Sequence, residues 1–459
     1  MARYLILLLV LSHVGCGDDD GGGDASPMDG AMDAMADQAV VDEGMQDEGM
    51  EAAPEDVAMD EAMPCGDECN AESVSVGANF ACTVQVNGEA FCWGGNLFGQ
   101  LGDDRMVHGT CGMTGTERLD CSDVPQQVRL DAASGVEASG IAACGLLEAD
   151  GNVLCWGLAD TPNLGTDSRE RRFRPQPSGF ENVSLLRRGG RNICAVGAEG
   201  VLCNGENDSG QVGDGTREQE RREPVLVAGT AGASLLEVSR GGEFACALVD
   251  ETTLCWGDNR AGQLGNGIEV HEMCGLGIDI YDCSPVPVEA ELTGVASALA
   301  LGTNHACALI GTDVFCWGAN SAGQLGRGEF TGVEAEPALV PGVAATAIAA
   351  AANTTCALLT DGSIQCWGAN DEGQLGDGLA VGDHETCTVG SETVDCIASP
   401  VAVSGERTYT ALGLGVDNGC AVSEGEVWCW GSGDQNQLGP NGPDGRARST
   451  EPVLVPRER

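Results

Sequence analysis

From residue 65 onward the apolar positions fall in short runs, and no stretch carries the three-to-four-residue spacing of an amphipathic helix. Ala245-Cys246-Ala247-Leu248-Val249 and Thr253-Leu254-Cys255-Trp256 flank a polar turn at Asp250-Glu251, which predicts a hairpin. A run of small residues from Leu236 to Gly242 precedes it and predicts another strand. Proline-led runs (Pro285-Val286-Pro287-Val288, Pro337-Ala338-Leu339-Val340, Pro452-Val453-Leu454-Val455) predict a fourth strand after a glycine-rich loop.

This four-strand unit recurs. Cys316-Trp317-Gly318-Ala319-Asn320 leads to Gly323-Gln324-Leu325-Gly326, and close copies start at Cys92, Cys255 and Cys366. Three further copies are degraded. Cys155-Trp156-Gly157 keeps only Asn163-Leu164-Gly165 of the tail, Cys203-Asn204-Gly205 has lost its Trp but retains Gly210-Gln211-Val212-Gly213, and Cys429-Trp430-Gly431 ends in Gln437-Leu438-Gly439. The seven Trp-equivalent positions are 63, 48, 52, 61, 50 and 63 residues apart. A period in this range signals stacked or radially arranged supersecondary units. Four short strands in each of seven units predict an all-β, seven-bladed β-propeller of four-stranded blades over residues 65–459. The glycines fit a tight loop with positive φ, and its Leu is the expected anchor between blades.

The pattern Cys-Trp-Gly-x-Asn-x-x-Gly-Gln-Leu-Gly, preceded by a strand of the Cys-Ala-Leu type, resembles the regulator-of-chromosome-condensation repeat family over roughly residues 71 to 456. That resemblance implies a seven-bladed propeller. Its members serve diverse ends: nucleotide exchange on a small nuclear GTPase, chromatin contact and, in secreted bacterial relatives, inhibition of β-lactamase. The resemblance transfers the fold and leaves the chemistry open.

The 23 cysteines suggest disulfides in an oxidising compartment or metal clusters. Each unit holds one pair across its hairpin: Cys82/Cys92, Cys144/Cys155, Cys194/Cys203, Cys246/Cys255, Cys307/Cys316, Cys356/Cys366 and Cys420/Cys429. Three pairs sit in long inserts (Cys111/Cys121, Cys274/Cys283, Cys387/Cys396). A further pair, Cys65 with Cys69, precedes the first unit, which leaves Cys16 over. Closing a loop of about ten residues stabilises by roughly 2.5–3 kcal/mol in the chain-entropy model. Each insert also has a His, three residues before its first cysteine, and an Asp directly before its second: His108 with Asp120, His271 with Asp282, His384 with Asp395. These are metal-ligand types, but a disulfide-closed loop with local His–Asp hydrogen bonds accounts for them equally.

The N-terminus favours export. One Arg, an apolar run from Leu5 to Leu11 and a Gly before Cys16 resemble a bacterial lipoprotein signal over residues 1–15, with His13 where that box usually has Leu. Cys16 is the expected lipidation site, the alternative being an ordinary signal peptide with an incidental cysteine. Residues 16–64 hold 16 acidic residues, no basic one and seven Met, and read as a disordered spacer. Copper binding by those Met residues is a weaker reading, since they lack fixed spacing.

Composition narrows the chemistry. All 22 basic residues are Arg against 71 acids, a net charge of −49. The lack of Lys excludes P-loop and Schiff-base chemistry, and the charge argues against nucleic acid. No His-Glu-x-x-His, Gly-x-Ser-x-Gly or EF-hand loop occurs, so no catalytic, cofactor or metal residue is assigned. Ten Arg lie between 169 and 222, read either as a local ion-pair lattice or as a face for an anionic partner. Phe98, Tyr281, Phe330, Arg171, Arg172 and Arg174 are the expected partner contacts. The expectation is a monomeric, non-enzymatic scaffold, lipid-anchored outside the cytoplasm at a bacterial outer membrane or cell surface, that binds a protein or surface glycan. An envelope enzyme or metal-binding protein using the insert loops is the alternative, and nucleotide exchange a remote one.

Overall fold

The computed structural model describes residues 70–111, 113–114, 117–158, 171–217, 220–267, 270–276, 279–440 and 448–456. The expected leader, the acidic segment and Cys16 lie outside them. So do Cys65 and Cys69, and the bridge expected between Cys65 and Cys69 is therefore not among the disulfides of the described residues. Every regular element among the described residues is a β-strand. Repeat 1 is a four-stranded antiparallel sheet of Ala71–Val76, Phe80–Gln85, Ala90–Gly95 and Cys121–Gln127, hydrogen-bonded in that order. Repeat 2 (Ala133–Ser139, Ala142–Leu147, Val153–Leu158, Arg171–Pro177), repeat 3 (Leu185 to Leu226) and repeat 7 (Ala411 to Val455) have the same order.

The inserts and one long strand depart from plain four-stranded units. In repeat 4 the insert strand Glu272–Leu276 adds a fifth strand beyond the outer one, Asp279–Glu289. In repeats 5 and 6 one long strand, Val333–Ala351, closes the first sheet through Ala319↔Val333 and opens the next through Ala345↔Leu359, and the repeat 6 insert strand Glu385–Val389 pairs beyond the outer strand Glu392–Ala402, so the merged sheet has eight strands. The first strands of successive repeats pack side by side, and Ala71–Val76 of repeat 1 packs against Ala411–Leu414 of repeat 7. The sheets therefore close on themselves in a β-propeller arrangement, which leaves no sheet face uncovered at the join.

The joints between repeats explain the repeated motif. Each motif Trp is fully buried, and its indole N–H donates to the carbonyl of the motif Gln in the preceding repeat. Trp156 bonds Gln100 (2.8 Å), Trp256 bonds Gln211 (3.1 Å), Trp317 bonds Gln263 (2.9 Å), Trp367 bonds Gln324 (2.9 Å) and Trp430 bonds Gln374 (2.9 Å). Trp93 of repeat 1 closes the series on Gln437 of repeat 7 at 2.9 Å. A buried indole N–H needs a partner, and the bulky ring fills the space between two sheets.

One joint differs. Repeat 3 has Asn204 where the others have Trp. The strand opposite compensates for the lost volume. The residue paired with each Trp is small (Ala81, Ala143, Ala245, Ala306, Thr355, Gly419), whereas Asn204 is paired with Ile193. Ile193 is fully buried and packs with Phe180, Val183 and Leu186 in one cluster.

Near the ring's centre, first-strand charges pair with one another. Arg187 bridges Glu137 (3.1 Å) and Glu237 (2.9 Å). Arg240 donates to Glu137 and to three main-chain carbonyls, those of Val76, Ala138 and Leu414, from repeats 1, 2 and 7. Burial pushes the Glu237 carboxyl up, while the neighbouring Arg187 opposes that. Removing either partner of such a pair would strand the other charge.

Two substitutions test the unusual joint. Ile193→Ala should lower the unfolding free energy by about 2–4 kcal/mol, because Asn204 cannot refill the space. Asn204→Trp alone should also destabilise, since the indole meets Ile193, and Ile193→Ala with Asn204→Trp should recover part of the loss. Urea unfolding of the four proteins gives the coupling energy, and simple additivity would refute the compensation.

Candidate functional site

Strand direction alternates within each sheet, so all connections between third and outer strands emerge on one face. The turns between second and third strands, and the links between repeats, emerge on the other. The motif loops and all three inserts are connections of the first kind.

Local hydrogen bonds hold each loop. The motif Asn side-chain oxygen accepts from the Leu amide five residues on, as in Asn96–Leu101, Asn259–Leu264, Asn320–Leu325 and Asn370–Leu375, each at 3.0 Å. The Gln side-chain oxygen accepts from the amide two residues before it, as in Gln100 from Phe98 and Gln263 from Ala261. The loop's first glycine lies against the next repeat: a Cβ on Gly99 (φ 90°) would sit 2.6 Å from the Arg172 carbonyl. Leu101, Leu264, Leu325 and Leu375 are fully buried at these contacts.

The inserts carry a second set of bonds. The backbone amide of His108 donates to Asp120, and its ring lies 3.1 Å from Asp120 and 2.8 Å from Asp103. The His384 ring likewise lies 2.9 Å from Asp395 and 2.8 Å from Asp377. His271 has Asp282 at 3.1 Å, but Asn266 takes the place of the second carboxylate. Burial acts to lower the His108 and His384 pKa values, but the hydrogen-bonded carboxylates outweigh it and hold both above the ordinary imidazole value. Asp103 is lowered in turn: burial opposes this, and its bond to His108 prevails.

The cysteines pair locally. The insert cysteines are bonded within each insert, Cys111–Cys121, Cys274–Cys283 and Cys387–Cys396. The hairpin cysteines face each other directly in register, as Cys82 faces Cys92, at Cα separations of 4.0–4.1 Å. The insert pairs bridge diagonally at 5.9–6.1 Å, Cys274 lying opposite Tyr281 rather than Cys283. One expected bridge has no counterpart here: Cys69, like its expected partner Cys65, falls outside the described residues, so its pairing stays an expectation from the sequence. His, Asp and Cys in the inserts are thus engaged with each other, and the described residues contain no group of three or more His, Cys, Asp or Glu arranged for a metal.

The expected contact residues separate. Arg171 and Arg174 are exposed on the outer strand of repeat 2, with the Arg171 guanidinium 5.4 Å from the Phe98 ring centroid. Arg172, expected as a contact, is instead only 4% exposed, because its strand runs beneath the loop of repeat 1. Tyr281 is half-buried: its hydroxyl lies 2.7 Å from Ser209, and Arg260 stacks on its ring at 4.0 Å. Phe330 is exposed at the edge of its own motif loop, near Gly323. Of the Arg-rich stretch, Arg187, Arg191 and Arg221 form ion pairs, in line with a local lattice for these members.

The apolar residues that stand out most on this face are aliphatic, not the expected aromatics. Met106 (66% exposed), Val107 (79%) and Val270 (72%) project from the inserts, as do Met273, Ile280 and Leu379. The opposite face has Val86 and Val295. The signal available in the sequence was apolar side chains set in otherwise polar, glycine-rich inserts.

The insert clasps give stability a defined pH dependence. Histidines whose folded pKa is raised stabilise most below their unfolded value of about 6.5, and that contribution is lost as pH rises through the folded value. Asp417 is pushed up to about 6, by burial and then by Asp371, Glu372 and Asp434, so it too loses stabilisation as pH rises, between about 4 and 6. The melting temperature should therefore fall from pH 6 towards 8 in the wild type and less steeply in His108→Gln with His384→Gln. Identical slopes above pH 6.5 in scanning calorimetry would show that the clasps do not contribute.

Comparison with known proteins agrees with this architecture. Residues 313–358 match the Regulator of chromosome condensation (RCC1) repeat, and residues 345–374 match a second profile of that repeat. The Ultraviolet-B receptor UVR8 of Arabidopsis thaliana is 28% identical over 268 residues, covering 56% of this chain and 55% of the receptor. The RCC1 domain-containing protein RUG3, mitochondrial, of Arabidopsis thaliana is 28% identical over 378 residues, covering 77% of this chain and 80% of that protein. Yeast RCC1 (Prp20), solved bound to Kap60, superposes with a TM-score of 0.61 at 20% identity, covering 84% of this chain and 85% of that one. The chain spans about half the length of UVR8. It carries RCC1-type repeats in an all-β propeller fold.

Proposed function

We propose that this chain is an exported, lipid-anchored, seven-bladed propeller that acts as a non-enzymatic scaffold and binds a partner protein through the face bearing its three inserts. The concentration of exposed apolar side chains on that face carries the reading: Met106, Val107, Val270, Met273, Ile280 and Leu379 all belong to inserts. Exposed apolar patches rimmed by polar residues mark interaction sites, and aliphatic side chains favour a protein over a glycan. Each insert is closed by its own disulfide and His–Asp clasp, so little order remains to be imposed on binding. Seven sequence copies and the Trp93–Gln437 closure support seven blades. Protein binding by this fold has precedent in Prp20, solved bound to Kap60.

In the same reading Cys16 bears the lipid, residues 16–64 form the acidic tether, and an oxidising compartment keeps the cysteines paired, Cys65 with Cys69 included. The engaged state of the insert side chains weighs against the enzyme or metal alternative, which would need donors that are free to bind.

Two experiments test these claims. Protein captured from the envelope of the producing cell by the wild type should be lost with Met106→Glu and Val107→Glu, or with Val270→Glu and Met273→Glu. It should be retained with Val86→Glu and Val295→Glu on the other face. The reverse pattern would place binding elsewhere. Intact mass of the mature protein should show a lipid-modified chain starting at Cys16, and a different first residue would refute the anchor.

A further inference from the structure

We propose that the edge formed by Phe98, Arg171 and Arg174 is a docking site for a short acidic segment of a partner protein. This rests on the reading of the chain as a protein-binding scaffold and names the partner's chemistry at one place on it. The argument starts from charge. In a chain with 71 acids, most arginines among the described residues face a carboxylate, Arg187, Arg191, Arg221, Arg260 and Arg327 among them. Arg171 and Arg174 are exposed on one outer strand, Arg171–Pro177, and neither forms an ion pair among the described residues. Two unmatched cations three residues apart on an edge are unusual where acids outnumber bases so heavily.

The geometry holds them in place. The loop of repeat 1 is fastened to this strand by the Asp104 amide, which donates to the Phe173 carbonyl at 2.8 Å. Gly99 packs on the Arg172 carbonyl, and buried Arg172 fixes the strand from beneath. Phe98 and Arg171 are therefore set against each other, with the guanidinium over the ring at 5.4 Å. A stacked guanidinium keeps its N–H edge free for a carboxylate and has less side-chain freedom to lose on binding. The pairing with Val153–Leu158 shifts register between Arg172 and Gln176, so Arg174 lies in the irregular stretch of the strand, next to the ladder pair of Arg171.

The surroundings select the ligand's size. Charges separated by more than a Debye length, about 8 Å at physiological salt, are largely screened. A short acidic segment meets the two arginines with only Asp104 fastened beside them, whereas a long polyanion must also cross a surface with a net charge of −49. Phe98 adds an apolar contact, so the fitting ligand alternates acidic with apolar side chains.

The test uses the full chain and a fluorescein-labelled peptide of alternating glutamate and leucine, read by anisotropy. The wild type should bind it, more weakly as salt is raised, and should not bind the counterpart with glutamine in place of glutamate. Arg171→Ala with Arg174→Ala should weaken binding at least about tenfold, and Phe98→Ala should weaken it less. Arg174→Gln alone, with an unfolding curve matching the wild type, guards against misfolding of the double variant. Unchanged affinity in these variants would overturn the proposal, as would displacement of the peptide by heparin at equal charge concentration, which would make the site one for polyanions. Val270→Glu with Met273→Glu separates the two readings, since it should lose the captured partner and keep the peptide. If the wild type fails to bind the peptide, the acidic-segment proposal fails, and the insert-face capture still stands or falls on its own result.

Discussion

A buried indole N–H resting on the main-chain carbonyl of the preceding repeat is the interaction on which the rest of this structure depends. It explains why the motif has its particular residues. Trp supplies the volume between two sheets and one donor that must be satisfied. Gln presents its carbonyl to that donor while its side chain ties down the loop, as Gln324 does with Trp367 and Ala322. The last glycine has to be glycine: a Cβ on Gly265 or Gly326 would stand 2.6 or 2.8 Å from the indole nitrogen of Trp317 or Trp367. Each net hydrogen bond contributes about 1 kcal/mol, but losing the indole would also leave a buried cavity and an unpaired carbonyl.

Much of this was readable from the chain because the signals are local. The hairpin around Asp250-Glu251, the cross-strand cysteines and the glycine loop lie within a few tens of residues of each other, and the structure has Cys246 facing Cys255 in register. What escaped reading depends on contacts between repeats. The copy at Cys203 shows in the sequence only that Asn204 stands where the other copies have Trp. Only the pairing of Ile193 with Asn204 makes the compensation visible. The fusion of repeats 5 and 6 was hidden for a related reason: Pro341-Gly342 reads as a break, but Val333–Ala351 continues through it as one strand. Arg172 looked like its neighbours until the loop of repeat 1 was seen to cover its strand.

Charge is managed differently at the centre and at the rim. At the centre, acids and arginines satisfy each other: Arg240 reaches carbonyls of three other repeats, and Arg187 sits between two glutamates. Such a network fixes which repeats meet more than it adds stability, because burying charge costs nearly as much as pairing it returns. At the rim, acids face solvent and repel one another. An exposed cation without an ion pair among the described residues is what marks Arg171 and Arg174, which is why their arrangement says more about a ligand than the Arg-rich composition of their stretch does.

The same division of labour bears on what the inserts do. His108 and His384 each have both ring nitrogens directed at carboxylates, and the cysteines beside them are bonded to each other. A catalytic or metal-binding insert would keep some of these groups unengaged, since a nucleophile, base or ligand acts through a lone pair that is free to move to substrate or ion. Here the polar groups are committed to holding the loop, and what the loop offers outward is Met106, Val107 and Val270. In the proposed reading, rigid support beneath and apolar contact above would serve an interface, where affinity comes from surface buried at little cost in order.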